Sequence, residues 1–246
     1  IFQSNRQDIV LVKQTDIWQL SQPIQARANP MRVKLLLSLL TSHTDRQQAI
    51  SDQKNLEQFG FINTSTRLQL GDQTFIFGNV ESISQQRYVL HNQIVYLADD
   101  TISPMLNTNA SSFIDNRLIP NHNIVALTLP YYKHQNIISE TLQLNLSNGH
   151  WISQPEHPSD KLINLVDAWK HAYALQVIPL EAIASKFDNQ TGHRVTLSLE
   201  GIAEPLQFTL YLHDNALFIV HSKLGLAYQF PRALYQQLIL NSDNNA

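Results

Sequence analysis

Ile17-Trp18-Gln19-Leu20-Ser21-Gln22-Pro23 and His150-Trp151-Ile152-Ser153-Gln154-Pro155 are two versions of one phrase, the second a residue shorter. Each follows an alternating apolar run, Ile9-Val10-Leu11-Val12 in the first copy and Leu142-Gln143-Leu144-Asn145-Leu146 in the second. Polar residues separate run from tryptophan: Gln14-Thr15-Asp16 in one, Asn148-Gly149 in the other. Alternation marks half-buried strands, and Asn-Gly between two such runs is a strong hairpin signal because both residues tolerate positive φ. The chain therefore reads as a duplication, with an offset of about 130 residues that is far too long for a solenoid repeat of roughly 20–50.

Working outward, each phrase leads into a helix. Asn29 then Pro30 reads as an N-cap followed by proline at the first helical position. Val33, Leu36, Leu37 and Leu40 then recur at helical spacing. In the second copy Pro158-Ser159-Asp160 opens a helix carrying Leu162, Leu165, Val166 and Trp169. A second short helix is expected around Asn55–Phe59 and around Leu180–Phe187. Strands follow: Arg67–Leu70, Thr74–Phe77, Tyr88–His91 and Ile94–Leu97, matched by Arg194–Leu197, Phe208–Tyr211, Phe218–His221 and Leu224–Phe230. A closing helix is expected over Pro104–Arg117 and again over Pro231–Leu240.

These elements predict an α+β fold of two duplicated modules, 1–120 and 121–246, each an antiparallel sheet with helices packed on one side. The second module has an additional strand, Ile124-Val125-Ala126-Leu127-Thr128-Leu129, before its hairpin. Its counterpart in the first would be Ile1-Phe2-Gln3 and residues upstream of them. A membrane anchor or signal is expected further upstream still.

The order of motifs resembles an uncharacterised bacterial family, domain of unknown function 4340. A Trp-x-Leu-x-x-Pro hairpin end is present as Trp18–Pro23, and a Leu-x-x-aromatic-Gly-hydrophobic step as Leu56–Phe61. A strand pair ending in glycine is Phe75-Ile76-Phe77-Gly78, followed by Arg87–Leu90 and Val95-Tyr96-Leu97. An aromatic-hydrophobic-Asp-x-Arg-Leu end is Phe113–Leu118. The resemblance covers roughly residues 9–120, and the second copy more loosely, where Gly60 has no clear counterpart. It implies a cell-envelope protein with one N-terminal membrane anchor and its bulk in the periplasm. It also implies partners among envelope or membrane proteins, including ABC-transporter subunits of the gliding-motility type. No activity comes with it.

Composition narrows the function classes. The 246 residues contain 17 Lys+Arg, 20 Asp+Glu and no cysteine, so the net charge of −3 gives no basic stripe for nucleic acid. Charged residues are 15% of the chain, against roughly 25% in an average domain, and 44 Asn and Gln take their place. No window of 18 uncharged apolar residues occurs, so nothing in the sequence reads as a membrane-spanning helix. Without cysteine there is neither disulfide nor thiolate chemistry.

The chemical constellations each have a plain reading beside them. Ten histidines invite a metal, yet none are paired at zinc-ligand spacing: His150 and His157 flank a strand-to-helix junction. His213 and His221 lie on neighbouring strands where they could approach, and His91 matches His221 in module position. With 7 glycines there is no nucleophile elbow and no phosphate loop. Asp99-Asp100 is the one adjacent acid pair, read as a cap or turn before Pro104. Trp18 and Trp151 read as shared core packing, and Tyr131-Tyr132-Lys133-His134 as a linker or a contact surface. Four Asn-x-Ser/Thr triplets, at Asn63, Asn109, Asn145 and Asn189, are what chance gives in so asparagine-rich a chain, and the tail from Asn241 reads as disordered. No catalytic, cofactor-binding or metal-binding residue and no cofactor is assigned. The leading expectation is a non-enzymatic periplasmic domain that binds or scaffolds envelope proteins. The alternatives are a hydrolase of envelope polymers with its cleft between the modules, and a small-ligand receptor.

Overall fold

The alternating runs fold as hairpins and the remaining strands build sheets upon them. The computed structural model describes residues 1–3, 6–49, 53–62, 66–119, 121–133 and 136–240. They form two compact units, Ile1–Ile114 and Asp115–Ala246. The triplet at Asn63, His134 and the tail from Asn241 lie outside the described residues.

In the first unit β1 (Val10–Gln14) and β2 (Ile17–Gln22) pair with Lys13 opposite Trp18, and a register shift between Val10 and Leu11 absorbs one residue. The two-residue β3 (Ala26–Arg27) covers the outer edge of β2. There the Ala28 N–H donates to the Trp18 carbonyl at 2.9 Å. Helix α1 (Pro30–Leu37) starts as the sequence dictates: Asn29 Oδ1 accepts from the N–H groups of Met31 and Arg32, at 3.0 and 3.2 Å. It buries Val33 and Leu36, then tightens into a 3₁₀ turn, Ser38–Thr41.

The rest of the first unit is β4 (Gln47–Ala49), α2 (Gln53–Gln58), β5 (Arg67–Leu70), β6 (Gln73–Val80), β7 (Arg87–His91), β8 (Ile94–Ala98) and α3 (Ser103–Leu106). Its five-stranded antiparallel sheet runs β4-β8-β7-β6-β5. Two pairs of bonds tie in the first residues: Ile1 and Ile9 exchange main-chain bonds of 2.8 and 2.9 Å, and Phe2 and Arg67 exchange bonds of 2.9 and 3.1 Å.

The second unit contains β9 (Ile124–Lys133), β10 (Asn136–Ser147), β11 (His150–Gln154), α4 (Ser159–Lys170), β12 (Gln176–Pro179), β13 (His193–Leu199), β14 (Leu206–His213), β15 (Ala216–His221) and β16 (Leu226–Pro231). Here the described strands form one eight-stranded antiparallel sheet, β11-β10-β9-β13-β14-β15-β16-β12. The Asn148-Gly149 turn has positive φ at both residues, 48° and 79°. On one face lie Leu127, Leu129, Leu142, Leu144, Val195, Leu197 and Phe208, nearly devoid of solvent contact. Helix α4 packs against β9 and β11, and its Trp169 ring lies 6.5 Å from that of Phe208. On the opposite face the 3₁₀ turn Ala184–Phe187 packs Phe187 and Ile183 against Phe218, Val220 and Ala227.

Several expectations change. Helical elements do not keep to one side of the second sheet, because the Ala184–Phe187 turn covers the face opposite Phe208. The expected Pro104–Arg117 helix is only the four residues of α3 followed by a 3₁₀ turn, Ala110–Phe113. Pro231–Leu240 is a 3₁₀ turn, Arg232–Gln236, and Leu180–Phe187 is two 3₁₀ turns. Residues 115–118 pack with the second unit: the Leu118 N–H donates to Ala172, and Asn116 exchanges bonds with Ala174.

Candidate functional site

The first unit contains a cleft of about 380 Å³. The pleat puts Phe75 of β6, Val89 and His91 of β7, and Tyr96 and Ala98 of β8 on one face of the sheet. The 3₁₀ turn after α1 faces them with Leu39 and Leu40, and Ser42, Thr44 and Gln73 complete the lining. Leu40 is 51% exposed. Thr44 Oγ1 donates to the Leu97 carbonyl at 2.7 Å, pinning the segment after the turn to β8.

His91 stacks on Phe75, with ring centroids 4.4 Å apart. Its Nδ1 lies 3.0 Å from the Thr74 carbonyl and its Nε2 3.0 Å from Asn92 Nδ2. A carbonyl needs a donor and an amide N–H₂ needs an acceptor, so the proton sits on Nδ1. Both nitrogens are then occupied, and His91 is a fixed structural group.

The second unit has a cavity of about 420 Å³ bordered by Arg194, Gln207, Thr209, His221 and the Glu204–Lys223 ion pair at 2.7 Å. That pair is about four-fifths exposed on both sides and contributes little stability. His221, 7% exposed, meets Phe208 edge-on, and its Nδ1 has no partner among the described residues. Burial pushes its pKa down, helped by Lys223 and opposed by its own main chain, so the imidazole is held neutral. His213 sits at the far end of the β14–β15 ladder, opposite Ala216, about 17 Å along the strand from His221. The approach of these two histidines expected from sequence does not occur.

The acid pair is divided. Asp99 accepts from Gln86, while Asp100 accepts from Arg87 Nε and from the Ser103 N–H and hydroxyl, capping the segment that becomes α3. Burial works against its charge, but the bonds from Ser103 and Arg87 outweigh it and hold the carboxyl below its ordinary range. Among the described residues no group of three or more His, Asp or Glu could hold a metal ion.

Trp18 and Trp151 are partly buried on their hairpins, whereas the fully buried tryptophan is Trp169, 0% exposed, whose Nε1 donates to the Leu238 carbonyl at 2.9 Å. Tyr131 is buried in β9 beside His157, so it forms no exposed contact surface.

The motifs carry structure. Gly60 closes α2 at φ +80°, and a Cβ on Gly78 would meet the Phe59 carbonyl at 2.3 Å, so both must stay bare for the Asn79 N–H to reach Phe59. Asp115, buried, is gripped by Arg117 Nε at 3.1 and 3.2 Å and Nη2 at 2.7 Å. Asp115 in turn raises the pKa of Arg117, and with burial pushes that of Tyr228 up to about 12.

Exposed sheet edges are expected from so many antiparallel strands, but the sequence does not say which edge stays open. Strand β11 ends the eight-stranded sheet with no described strand beyond it. Its residues, His-Trp-Ile-Ser-Gln, include no Lys, Arg, Asp, Glu or Pro, and Ile152 is 55% exposed. The other terminal strands are blunted: β5 has Arg67, β1 has Lys13, β12 has Pro179, and β3 and β4 are two and three residues long.

Residues 18–184 match the family described as Domain of unknown function (DUF4340). The chain belongs to this family. The match begins at Trp18 and runs through the boundary between the units, further than the 9–120 read from motifs. In the DUF4340 region lie nearly all of β2, the second hairpin, the cleft of the first unit and the Asp115–Arg117 clasp. No curated protein and no solved structure matches the chain. Among the described residues no helix is long and apolar enough to cross a membrane.

Proposed function

We propose that this chain is a binding module of the bacterial envelope, periplasmic and tethered to the inner membrane, which docks other envelope proteins and performs no catalysis. The observation that carries the reading is the open, uncharged edge of β11. An extended partner segment adds there as a ninth strand, its main chain bonding the outward groups of Trp151 and Ser153. The first unit supplies an internal precedent, since β3 and Ala28 occupy the matching edge of β2. The location and the inclusion of ABC-transporter subunits among the partners rest on the family resemblance.

Duplication belongs to the same proposal. It is supported by ladder register: Lys13–Trp18 and Gln14–Ile17 correspond to Leu146–Trp151 and Ser147–His150, all offset by 133. Ile1 beside Ile9 corresponds to Leu129 beside Leu142, and Phe2 beside Arg67 to the pairing of β9 with β13. The order β4-β8-β7-β6-β5 corresponds to β12-β16-β15-β14-β13.

The test is affinity capture of the full-length protein from solubilised membranes, wild type against Ile152→Lys. The expected outcome is recovery of envelope or transporter subunits with the wild type and their loss with the variant, which places a charge on the edge. A captured set unchanged by Ile152→Lys, or a full-length protein found free in the cytosol, sinks the reading.

A further inference from the structure

We propose that the cleft of the first unit binds a small planar aromatic molecule that carries a hydrogen-bond donor, an indole or a phenol in chemical class. The inference rests on the duplication reading. Counting from the first helical residue, Pro30 corresponds to Ser159 and Leu40 to Trp169. Phe75 and His91 then correspond to Phe208 and His221, the neighbouring rings on β14 and β15. In the second unit the buried Trp169 indole lies 6.5 Å from the Phe208 ring, although Phe208 and His221 also border the cavity of about 420 Å³ there. In the first unit the α-helix stops at Leu37, the turn carries the shorter Leu40 outward, and the space over Phe75 stays open. Its volume, about 380 Å³, lies within the roughly 300–1,000 Å³ typical of small-molecule pockets.

The polarity of the rim selects the ligand. Ser42 Oγ donates its proton to the Ser38 carbonyl at 3.1 Å, and Thr44 Oγ1 donates to Leu97. With its hydrogen spent on the main chain, the Ser42 hydroxyl is left as an acceptor, while Thr44 Oγ1 already accepts from the Arg46 N–H at 3.2 Å and Tyr96 and Gln73 add donors to the lining. His91 offers no free donor, because its Nδ1–H is held by Thr74. The second unit has the same polarity, where the Leu238 carbonyl accepts the indole N–H of Trp169. An aromatic face against Phe75 and Leu40, with an N–H or O–H turned to Ser42, pairs that acceptor.

Indole is the probe, titrated calorimetrically onto the whole chain, with benzothiophene as the analogue of the same shape lacking the N–H. The expected result is saturable indole binding with benzothiophene about tenfold weaker. Two variants fill the space from within, Leu40→Trp from the turn and Ala98→Leu from the floor. Each is expected to weaken indole by about tenfold or more, and Leu40→Trp is also expected to raise the melting temperature. If one variant fails to fold, the other carries the comparison. Indole that does not bind the wild type, or that binds both folded variants as it binds the wild type, overturns the site. Should Leu40→Trp raise the melting temperature while indole fails to bind, the site is lost and the correspondence with Trp169 survives. Should indole bind and both variants abolish it while Leu40→Trp melts lower, the site holds and the correspondence falls.

Discussion

In the second unit ten residues of β9 lie between the β10–β11 hairpin and β13, so that hairpin and sheet are one surface of eight strands. In the first, the same relation is carried by the few main-chain bonds of Ile1 and Phe2, and the β1–β2 hairpin forms a separate ladder. The helix over the sheet differs in the same sense. Helix α4 runs twelve residues and delivers Trp169 into the core, whereas α1 runs eight and leaves Leu40 half in solvent. Similar ladders are therefore covered differently: in one unit a long helix buries a tryptophan, and in the other a short helix leaves a leucine at the mouth of a cleft.

Removing Trp169 tests the contrast most severely. Trp169→Ala is expected to cost about 3–5 kcal/mol, through the lost indole and the unpaired Leu238 carbonyl, against under about 1 kcal/mol for Leu40→Ala. Urea denaturation of both variants gives the difference, and equal costs would erase the distinction between the cores.

Next comes the clasp at Asp115, for which Asp115→Ala is expected to destabilise the second unit by about 2–3 kcal/mol, since it strips a charge partner from Arg117. Hydrogen exchange at Leu118 and Ala174 should rise with it; unchanged protection would show that the segment is held by other means.

Gly78→Ala, which drives a Cβ onto the Phe59 carbonyl, is expected to cost about 2 kcal/mol. Gly71→Ala, at φ +57° in open space, should cost only about 1 kcal/mol from backbone strain. Thermal melts that rank these two the other way would deny the close approach.

The smallest expected effect is in pH. Burial depresses His157, His193 and His221, all in the second unit, with Lys161 and Lys223 adding to the shift at His157 and His221. Between the folded and unfolded pKa values the unfolded chain binds more protons. Stability of the second unit is thus complete above about pH 6.5 and declines as pH falls. Asp100 is depressed too, so its contribution to the first unit is lost only in acid, below about pH 4. Local unfolding followed by hydrogen exchange from pH 7 to 5 should soften the second unit first. His221→Leu should reduce that slope without lowering stability at pH 7, and a slope it leaves untouched would remove His221 from the account.

Much of this was legible in the residues. Alternation, turn chemistry and the repeated tryptophan phrase place both hairpins, because strand period and positive-φ turns are local properties. The Asn29-Pro30 start of α1 is equally local. The short edge strands were invisible, since Gln47-Gln48-Ala49 has no pattern and pairs only because β8 offers a free side. The closing helices were overread from proline starts and apolar spacing, signals a 3₁₀ turn satisfies as well. Equivalent placement of Trp18 and Trp151 tells that the two hairpins match, but not how deeply each ring is buried, and both are only partly so. The cleft could not be foreseen: a leucine at helical spacing reads as core, and only the turn at Ser38 shows that it falls short.

The bare edge of β11 also has a meaning for the medium around the protein. A junction made there consists of main-chain hydrogen bonds beside apolar and amide side chains, with no ion pair supplied by the strand for dissolved salt to weaken. Its grip should be nearly the same in dilute and in concentrated electrolyte.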